Sequence, residues 1–272
     1  NHPRLVADCA GARTLWGNDA RTLRQVRDPM RLAAVLRSEG LDCLEIAGNS
    51  RGLPDRLSRV DWLCKPRRSA GGSKIAFYGD AARRHRVPRG YYLQRFADGL
   101  SCSAVYVAAG GQSLMVGLTR QIIGATWCGA SGFQYCGSVG PIDLPRPAVV
   151  AARRLGAVLA ARFNLIGLFG VDLIVNQHGV WPVEVNPRYT ASCEVLDVAG
   201  DGRLVARHVA ACQSGRLPDG PALLRETIHG KAVLFAARPT VIRDDMRRRR
   251  WLPEGITVCD APVPGTRINV GG

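Results

Sequence analysis

Two short β-branched runs on either side of a single turn, within residues 171–186, constrain the fold more than any other stretch. The first run is apolar apart from Asp172, and the second contains Glu184. Residues 176–179 between the runs have the composition of a tight turn. The stretch therefore predicts an antiparallel hairpin that brings Asp172 close to Glu184.

Strand alternation extends this prediction to a metal site. Side chains two positions apart share a face, so Asn186 lies on the same side as Glu184. Two carboxylates and an amide suit Mg²⁺, which takes few protein ligands and keeps positions for water and phosphate. Pro187 ends the strand, and the Arg188 guanidinium that follows could hold a phosphoryl oxygen. An ordinary surface hairpin with solvated charges is the alternative.

The stretch DWLCKPRRSAGGSKI, residues 61–75, predicts a phosphate-binding loop. Gly71 and Gly72 would let backbone amides approach phosphate, and Lys65 and Lys74 would add positive charge. The spacing is not that of a P-loop. A hairpin turn with chance lysines remains the alternative.

The strand YYLQRF, residues 91–96, ends at a short connector before a second strand begins near residue 101. A join of this kind between subdomains is a usual place for a purine, and Gln94, Arg95 and Phe96 would contact it. An ordinary β-hairpin is the alternative here.

Residues 124–141 form a long segment rich in glycine and aromatic residues. Loops of that length are functional or disordered, and Trp127, Phe133 and Tyr135 favour a loop that covers substrate. Three helices are predicted elsewhere, at 28–39 with Asp28 as N-cap, at 148–162 with an apolar stripe, and at 202–214.

Charge and hydropathy narrow the classes of partner. The chain has 37 basic and 22 acidic residues, a net charge of +15 that attracts anions. The basic run 243–250 lacks the interleaved aromatic residues of a nucleic-acid arm, since only Trp251 adjoins it. The sequence has no membrane-length apolar segment and no signal-peptide pattern, so it predicts a cytoplasmic protein without membrane partners.

Taken in order, these motifs resemble the ATP-grasp family of ADP-forming carboxylate-amine ligases. The Lys65 and Gly71-Gly72 segment resembles the family's nucleotide lysine and phosphate-covering loop. The sequence LQRF resembles its adenine hinge, and VDLIV followed by WPVEVNPR resembles its magnesium hairpin. The resemblance covers roughly residues 17–192.

This resemblance implies an α+β ATP-grasp fold in which two α+β subdomains clamp the nucleotide. The implied divisions are 1–25 for the end of an N-terminal substrate domain that is partial or missing, 26–96 for the small subdomain and 97–272 for the large one.

The resemblance also implies a set of site residues. The metal ligands are Asp172, Glu184 and Asn186, and the catalytic residues are Arg188 and Lys65. The nucleotide contacts are Lys65, Gly71, Gly72, Lys74, Gln94, Arg95, Phe96, Asp98 and Arg27. Two positions depart from the family: Pro29 replaces a basic residue, so that Arg27 or Arg31 must substitute, and Leu100 replaces a glutamate, for which Asp98 is the substitute.

The implied activity joins an anionic acid to an amine through an acyl phosphate, with ATP and Mg²⁺ or Mn²⁺ as cofactors. The stretches GLTRQIIG, FQYCGSVGP and DAPVPGTRINVGG resemble ATP-grasp proteins of the tetrahydromethanopterin-linked one-carbon pathway and tyramine-glutamate ligase. A homodimer is compatible with this interpretation. The alternatives are a homologue that binds nucleotide without ligase activity and a nucleic-acid-binding module.

Overall fold

A computed structural model describes residues 2–48, 61–68, 70–81, 87–218, 227–243 and 253–271. Several stretches lie outside these residues: the turn-rich segment 49–59, which the sequence predicts to be a connector, Ser69 of the predicted phosphate-binding loop (the glycine loop, residues 69–74), and the basic run from residue 244 together with Trp251. In the described part, no helix is long and apolar enough to cross a bilayer.

The described part of the chain begins with three helices and continues with antiparallel strands between which the remaining helices are inserted. The helices are α1 (Pro3–Ala12), α2 (Ala20–Val26), α3 (Pro29–Ser38), α4 (Tyr78–Ala81), α5 (Arg146–Phe163), α6 (Ala191–Ala199) and α7 (Leu204–Ser214). The strands are β1 (Ile46–Ala47), β2 (Trp62–Pro66), β3 (Ala76–Phe77), β4 (Tyr91–Arg95), β5 (Leu100–Ala109), β6 (Gln112–Ile123), β7 (Tyr135–Gly140), β8 (Gly167–Asn176), β9 (Gly179–Asn186), β10 (His229–Ala232), β11 (Thr240–Val241) and β12 (Arg267–Ile268).

Two antiparallel sheets position the site. The smaller sheet has the order β1-β4-β2-β3, and the larger has the order β10-β7-β6-β5-β8-β9. Strands β11 and β12 form a separate pair. The chain passes from the smaller sheet to the larger between β4 and β5, which is where the sequence predicts a hinge.

Helix α3 confirms the predicted helix 28–39 to within one residue at each end. The Asp28 side chain accepts hydrogen bonds from the backbone N–H groups of Met30 and Arg31, and Pro29 occupies the first turn, where its missing N–H costs nothing. Leu32 and Leu36 then pack into the same core as the larger sheet.

The larger sheet is covered on both faces. Helix α5 covers one face, where the Tyr106 ring stacks on Phe169 with centroids 4.8 Å apart and the Tyr106 hydroxyl donates to the Ala152 carbonyl at 2.7 Å. Gly156 is required there because a Cβ would lie 2.3 Å from the Tyr106 ring. Helices α6 and α7 cover part of the other face with an apolar cluster that includes Leu196 and Leu204.

The prediction of one continuous loop over residues 124–141 is wrong in its second half. Strand β7 is an internal strand of the larger sheet, next to the edge strand β10, and it pairs with both β6 and β10. The glycines that suggested a loop allow close packing instead, because a Cβ on Gly137 would lie 2.3 Å from the Lys231 carbonyl oxygen. The predicted covering loop is therefore limited to residues 124–134.

Candidate functional site

The predicted hairpin is confirmed in its register. Strands β8 and β9 pair so that Asp172 lies opposite Glu184, and Gly170 lies opposite Asn186. A register shift follows Asp172. The Asn186 amide donates to Asp172 Oδ2 at 3.1 Å, so the three predicted metal ligands form one cluster.

Asp172 lies in an unfavourable environment for a carboxylate. Burial, followed by the nearby charge of Glu184, raises its pKa to about 7, while the Gln121 hydrogen bond acts in the opposite direction. That bond runs from Gln121 Nε2 to Asp172 Oδ1 at 2.9 Å. Two facing carboxylates at the edge of a cavity favour a bound cation, which would remove their repulsion.

The donor set fits Mg²⁺ in one particular way. In the part of the chain that the structure describes, no group of three or more His, Cys, Asp or Glu side chains is arranged to hold a metal. Two carboxylates and an amide would leave several positions of an octahedral ion for water and phosphate oxygens. This is the coordination expected of an ion that arrives with a nucleotide.

Basic side chains surround the carboxylate pair. Arg27 Nη2 contacts Glu184 Oε1 at 3.2 Å. On the other side, Arg188 Nη2 donates to Asn186 Oδ1 at 3.4 Å, and Nη1 donates to the Tyr189 carbonyl at 2.9 Å. The guanidinium groups therefore lie within reach of an anion placed beside the carboxylates.

Lys65 is a buried cation on strand β2, with 5% of its surface exposed. Its ammonium donates to Gln94 Oε1 at 2.8 Å, and the Gln94 amide contacts the Val183 carbonyl at 3.4 Å. Burial lowers the pKa of Lys65, while Glu184 and Asp172 raise it. A buried ammonium hydrogen-bonded to a neutral amide suits a negatively charged ligand.

These groups line one cavity of about 440 Å³ between the two sheets. The predicted residues that line it are Lys65, Gly71, Gly72, Gln94, Arg95, Phe96, Asp98, Asp172, Glu184, Asn186 and Arg188. Arg27 instead lines a smaller neighbouring cavity, which it shares with Lys65 and Glu184. Lys74 is exposed and lies outside the lining of both cavities, so the structure does not bring it to the others.

The loop that contains Gly71 and Gly72 contacts both the predicted covering loop 124–134 and the first residue of β7. The Tyr135 N–H donates to the Gly71 carbonyl at 3.0 Å, and a Cβ on Gly72 would lie 1.8 Å from the Phe133 carbonyl oxygen. Phe133 also packs edge-on against Phe77 and Phe96, with centroid distances of 5.4 and 6.5 Å. Loop contact thus explains Gly72, and its approach to phosphate stays a prediction.

Two further site residues, Gln121 and Asn18, lie outside the predicted site motifs. Gln121 lies on β6, two positions after Thr119. Two polar residues at this spacing lie on the same face of a strand, and this was the sequence signal available for Gln121. Asn18 binds the segments on both sides of the hairpin, since its amide donates to the Ile166 and Pro187 carbonyls at 3.1 and 3.2 Å.

The fold and the site together define a class: an α+β protein with a cavity between two antiparallel sheets that is lined by two facing carboxylates and by basic side chains. The ATP-grasp domain family matches residues 51–192, just over half of the chain. The chain belongs to this family, and the predicted ATP-grasp fold is confirmed.

Solved structures agree with this fold. An ATP-grasp superfamily protein from Archaeoglobus fulgidus is 19% identical with a TM-score of 0.57, over 86% of this chain and 72% of that one. N5-carboxyaminoimidazole ribonucleotide synthetase from Thermus thermophilus is 17% identical with a TM-score of 0.68, over 87% of this chain and 65% of that one.

The biotin carboxylase domain of Hydrogenobacter thermophilus 2-oxoglutarate carboxylase, in complex with MgADP, ADP and bicarbonate, is 14% identical with a TM-score of 0.68, over 98% of this chain and 64% of that one. The chain thus spans less than two thirds of the synthetase and of the carboxylase domain. Comparison with curated protein sequences gave no significant match.

Proposed function

We propose that this protein is an ATP-dependent, ADP-forming ligase that joins a carboxylate to an amine. The observation that carries the proposal is the facing of Asp172 and Glu184 in the cavity that also contains Lys65 and Arg188. This arrangement provides for a divalent ion and for phosphate oxygens side by side. The Hydrogenobacter neighbour, solved with MgADP and bicarbonate, is consistent with such a ligand.

Each cavity residue then has a role in binding. Asp172, Glu184 and Asn186 would hold Mg²⁺ or Mn²⁺, which neutralises phosphate charge when it is bound. Lys65 and Arg188 hold phosphoryl oxygens. The nucleotide contacts are Gly71 and Gly72 over the phosphates, Gln94, Arg95 and Phe96 beside the adenine, and Asp98 toward the ribose.

The chemistry proceeds in two transfers. An oxygen of the substrate carboxylate attacks the γ-phosphorus, and the bond to the leaving ADP breaks. The amine then attacks the acyl carbon, and inorganic phosphate leaves as the amide forms. Positioning and charge neutralisation supply the rate enhancement, so no side-chain nucleophile is needed.

The finer assignment rests on the sequence resemblance described above. We propose glutamate ligation in methanofuran or tetrahydromethanopterin-linked cofactor biosynthesis, in the cytoplasm, by a chain divided into subdomains at 26–96 and 97–272. The net charge of +15 supports an anionic acid substrate. A homodimer is compatible with the proposal.

One observation favours a second candidate function, a homologue that binds nucleotide without catalysis. Arg27 forms an ion pair with Glu184, a predicted metal ligand, and Pro29 stands where the family often has a basic residue. If this ion pair persists when nucleotide binds, Glu184 Oε1 is not available to the metal.

The test is Glu184→Gln, which removes one charge at constant shape. We expect ADP release to be abolished while the unfolding temperature changes little. Glu39→Gln is the matched control, because Glu39 forms a surface ion pair with Arg162 and is 31% exposed, against 37% for Glu184. Full ATP turnover in purified Glu184→Gln would refute the ligase assignment. Stabilisation of the wild type by MgATP without turnover would favour the second candidate.

A further inference from the structure

The turn of the β8–β9 hairpin contacts the hinge connector, residues 96–99, through which the chain passes from the smaller sheet to the larger. The Asn176 side-chain amide donates to the Asp98 carbonyl at 2.8 Å. Gly99 packs so closely on the end of β8 that a Cβ there would lie 2.6 Å from the Val175 carbonyl oxygen. The hairpin therefore holds the hinge connector at two successive residues.

The orientation of the Asn176 amide is fixed by its partners. Its oxygen accepts from the His178 backbone N–H at 2.9 Å and from the Trp181 indole N–H at 3.1 Å, and both of these groups can only donate. The Asp98 carbonyl can only accept, so the amide nitrogen must face it. The oxygen of Asn176 thus organises the turn, and its nitrogen holds the hinge connector.

The hinge connector separates two open spaces. Phe96, Asp98 and Gly99 line the cavity of about 440 Å³ and also a wider groove of about 790 Å³. Asn176 and Trp181 lie in the wall of the groove and outside the lining of the cavity. A segment with space on both sides is fixed less by packing than by the contacts it does make, so the bond from Asn176 has a large part in placing it.

We propose that Asn176 is a positioning residue for the nucleoside half of the nucleotide. The inference rests on the proposed function, in which Phe96 and Asp98 contact the adenine and the ribose. Asn176 acts on these contacts from outside the cavity, by holding the hinge connector that carries them. It also lies four residues after Asp172 on β8, a separation of about 13 Å at about 3.3 Å per residue. One strand therefore sets the distance between the metal end and the base end of the cavity.

The test replaces Asn176 by aspartate, which has the same shape. Asn176→Asp keeps an oxygen for the His178 and Trp181 donors, so the turn is preserved, but the ionised side chain has no donor for the Asp98 carbonyl. Asn176→Ala removes the donor without adding charge. Gln177→Glu is the matched control, because it adds the same charge at an exposed neighbour in the same turn.

Isothermal titration calorimetry with MgADP and with magnesium pyrophosphate separates the two halves of the ligand. We expect Asn176→Asp and Asn176→Ala to bind MgADP about fivefold to tenfold more weakly than the wild type, which corresponds to the loss of one hydrogen bond. Their affinity for magnesium pyrophosphate should be unchanged, because that ligand has no base or ribose to contact the hinge connector. A general loss of structure would weaken the binding of both ligands alike. Gln177→Glu should bind both ligands as the wild type does.

The inference is overturned if either Asn176 variant binds MgADP as tightly as the wild type, or if both ligands lose affinity by the same factor. It is also overturned if Gln177→Glu reproduces the loss, since the added charge alone would then explain it. Failure of the proposed function has a different signature, because the wild type itself would then bind no MgADP.

Discussion

Replacing Gly72 by alanine tests whether the glycine loop and the covering loop close together over the nucleotide. Gly71 provides the matched control. Both residues have positive φ, +63° for Gly71 and +72° for Gly72, so alanine pays a similar left-handed backbone cost of about 1 kcal/mol at either position. Only their surroundings differ, because a Cβ on Gly71 meets nothing within 4 Å.

The contact at Gly72 sets the size of the additional effect. Its Cβ would lie 1.8 Å from the Phe133 carbonyl oxygen. Carbon and oxygen atoms approach to about 3.3 Å, so the loops must separate by about 1.5 Å. That movement breaks the bond from Tyr135 to Gly71, worth about 1 kcal/mol, and loosens the Phe133 ring contacts, worth about 1 kcal/mol more.

The expected difference between the two variants is therefore about 2 kcal/mol, or about 30-fold in affinity for MgATP. Isothermal titration calorimetry with MgATP measures this difference, and hydrogen exchange at the Tyr135 amide reports whether the loops have separated. Equal affinities for Gly71→Ala and Gly72→Ala, with the Tyr135 amide still protected in both, would show that contact between the loops does not contribute to nucleotide binding.

Two further predictions concern the charges of the site. Lys65→Met replaces a buried ammonium by an apolar chain of similar length, so we expect an unchanged or higher unfolding temperature. We also expect the affinity for MgATP to fall by about tenfold or more, and an unchanged affinity would exclude Lys65 from the phosphate site. The pKa of Asp172 rises from 3.8 to about 7 on folding, so the folded state holds a proton on Asp172 that the unfolded state releases. The stability that this proton contributes is present at low pH and is lost as the pH rises through about 7. The metal-free wild type should accordingly lose stability relative to Asp172→Asn between about pH 4 and pH 7 in thermal unfolding, and parallel profiles for the two proteins would contradict this assignment.

The parts of the site that were predictable are those set by local sequence. The hairpin and its register follow from a turn between two alternating runs, and α3 follows from Asp28 and Pro29 at its start. The relation between Asp172 and Gln121 was not predictable. It depends on β5 lying between β8 and β6, and the sequence of an individual strand does not indicate which strands lie beside it in the sheet.

Strand β7 and Gly72 show the other limit. Glycine permits a loop, a close approach to a ligand and tight packing against another backbone, and the sequence does not distinguish these uses. In β7 the packing partner is β10, which follows about ninety residues later. Lys74 lies outside the cavity lining for a related reason, because its position in a loop did not fix the direction of its side chain.

Asn18 has a consequence for the order of folding. Its partners at Ile166 and Pro187 are 148 and 169 residues away, and Arg27 is 157 residues from Glu184. During synthesis these two residues leave the ribosome well before the hairpin that they contact. The β8–β9 hairpin can form by itself soon after it emerges, whereas the loop closure that brings Asn18 and Arg27 to it is slow. A nascent chain halted after β9 should therefore contain the hairpin first and the complete site only later.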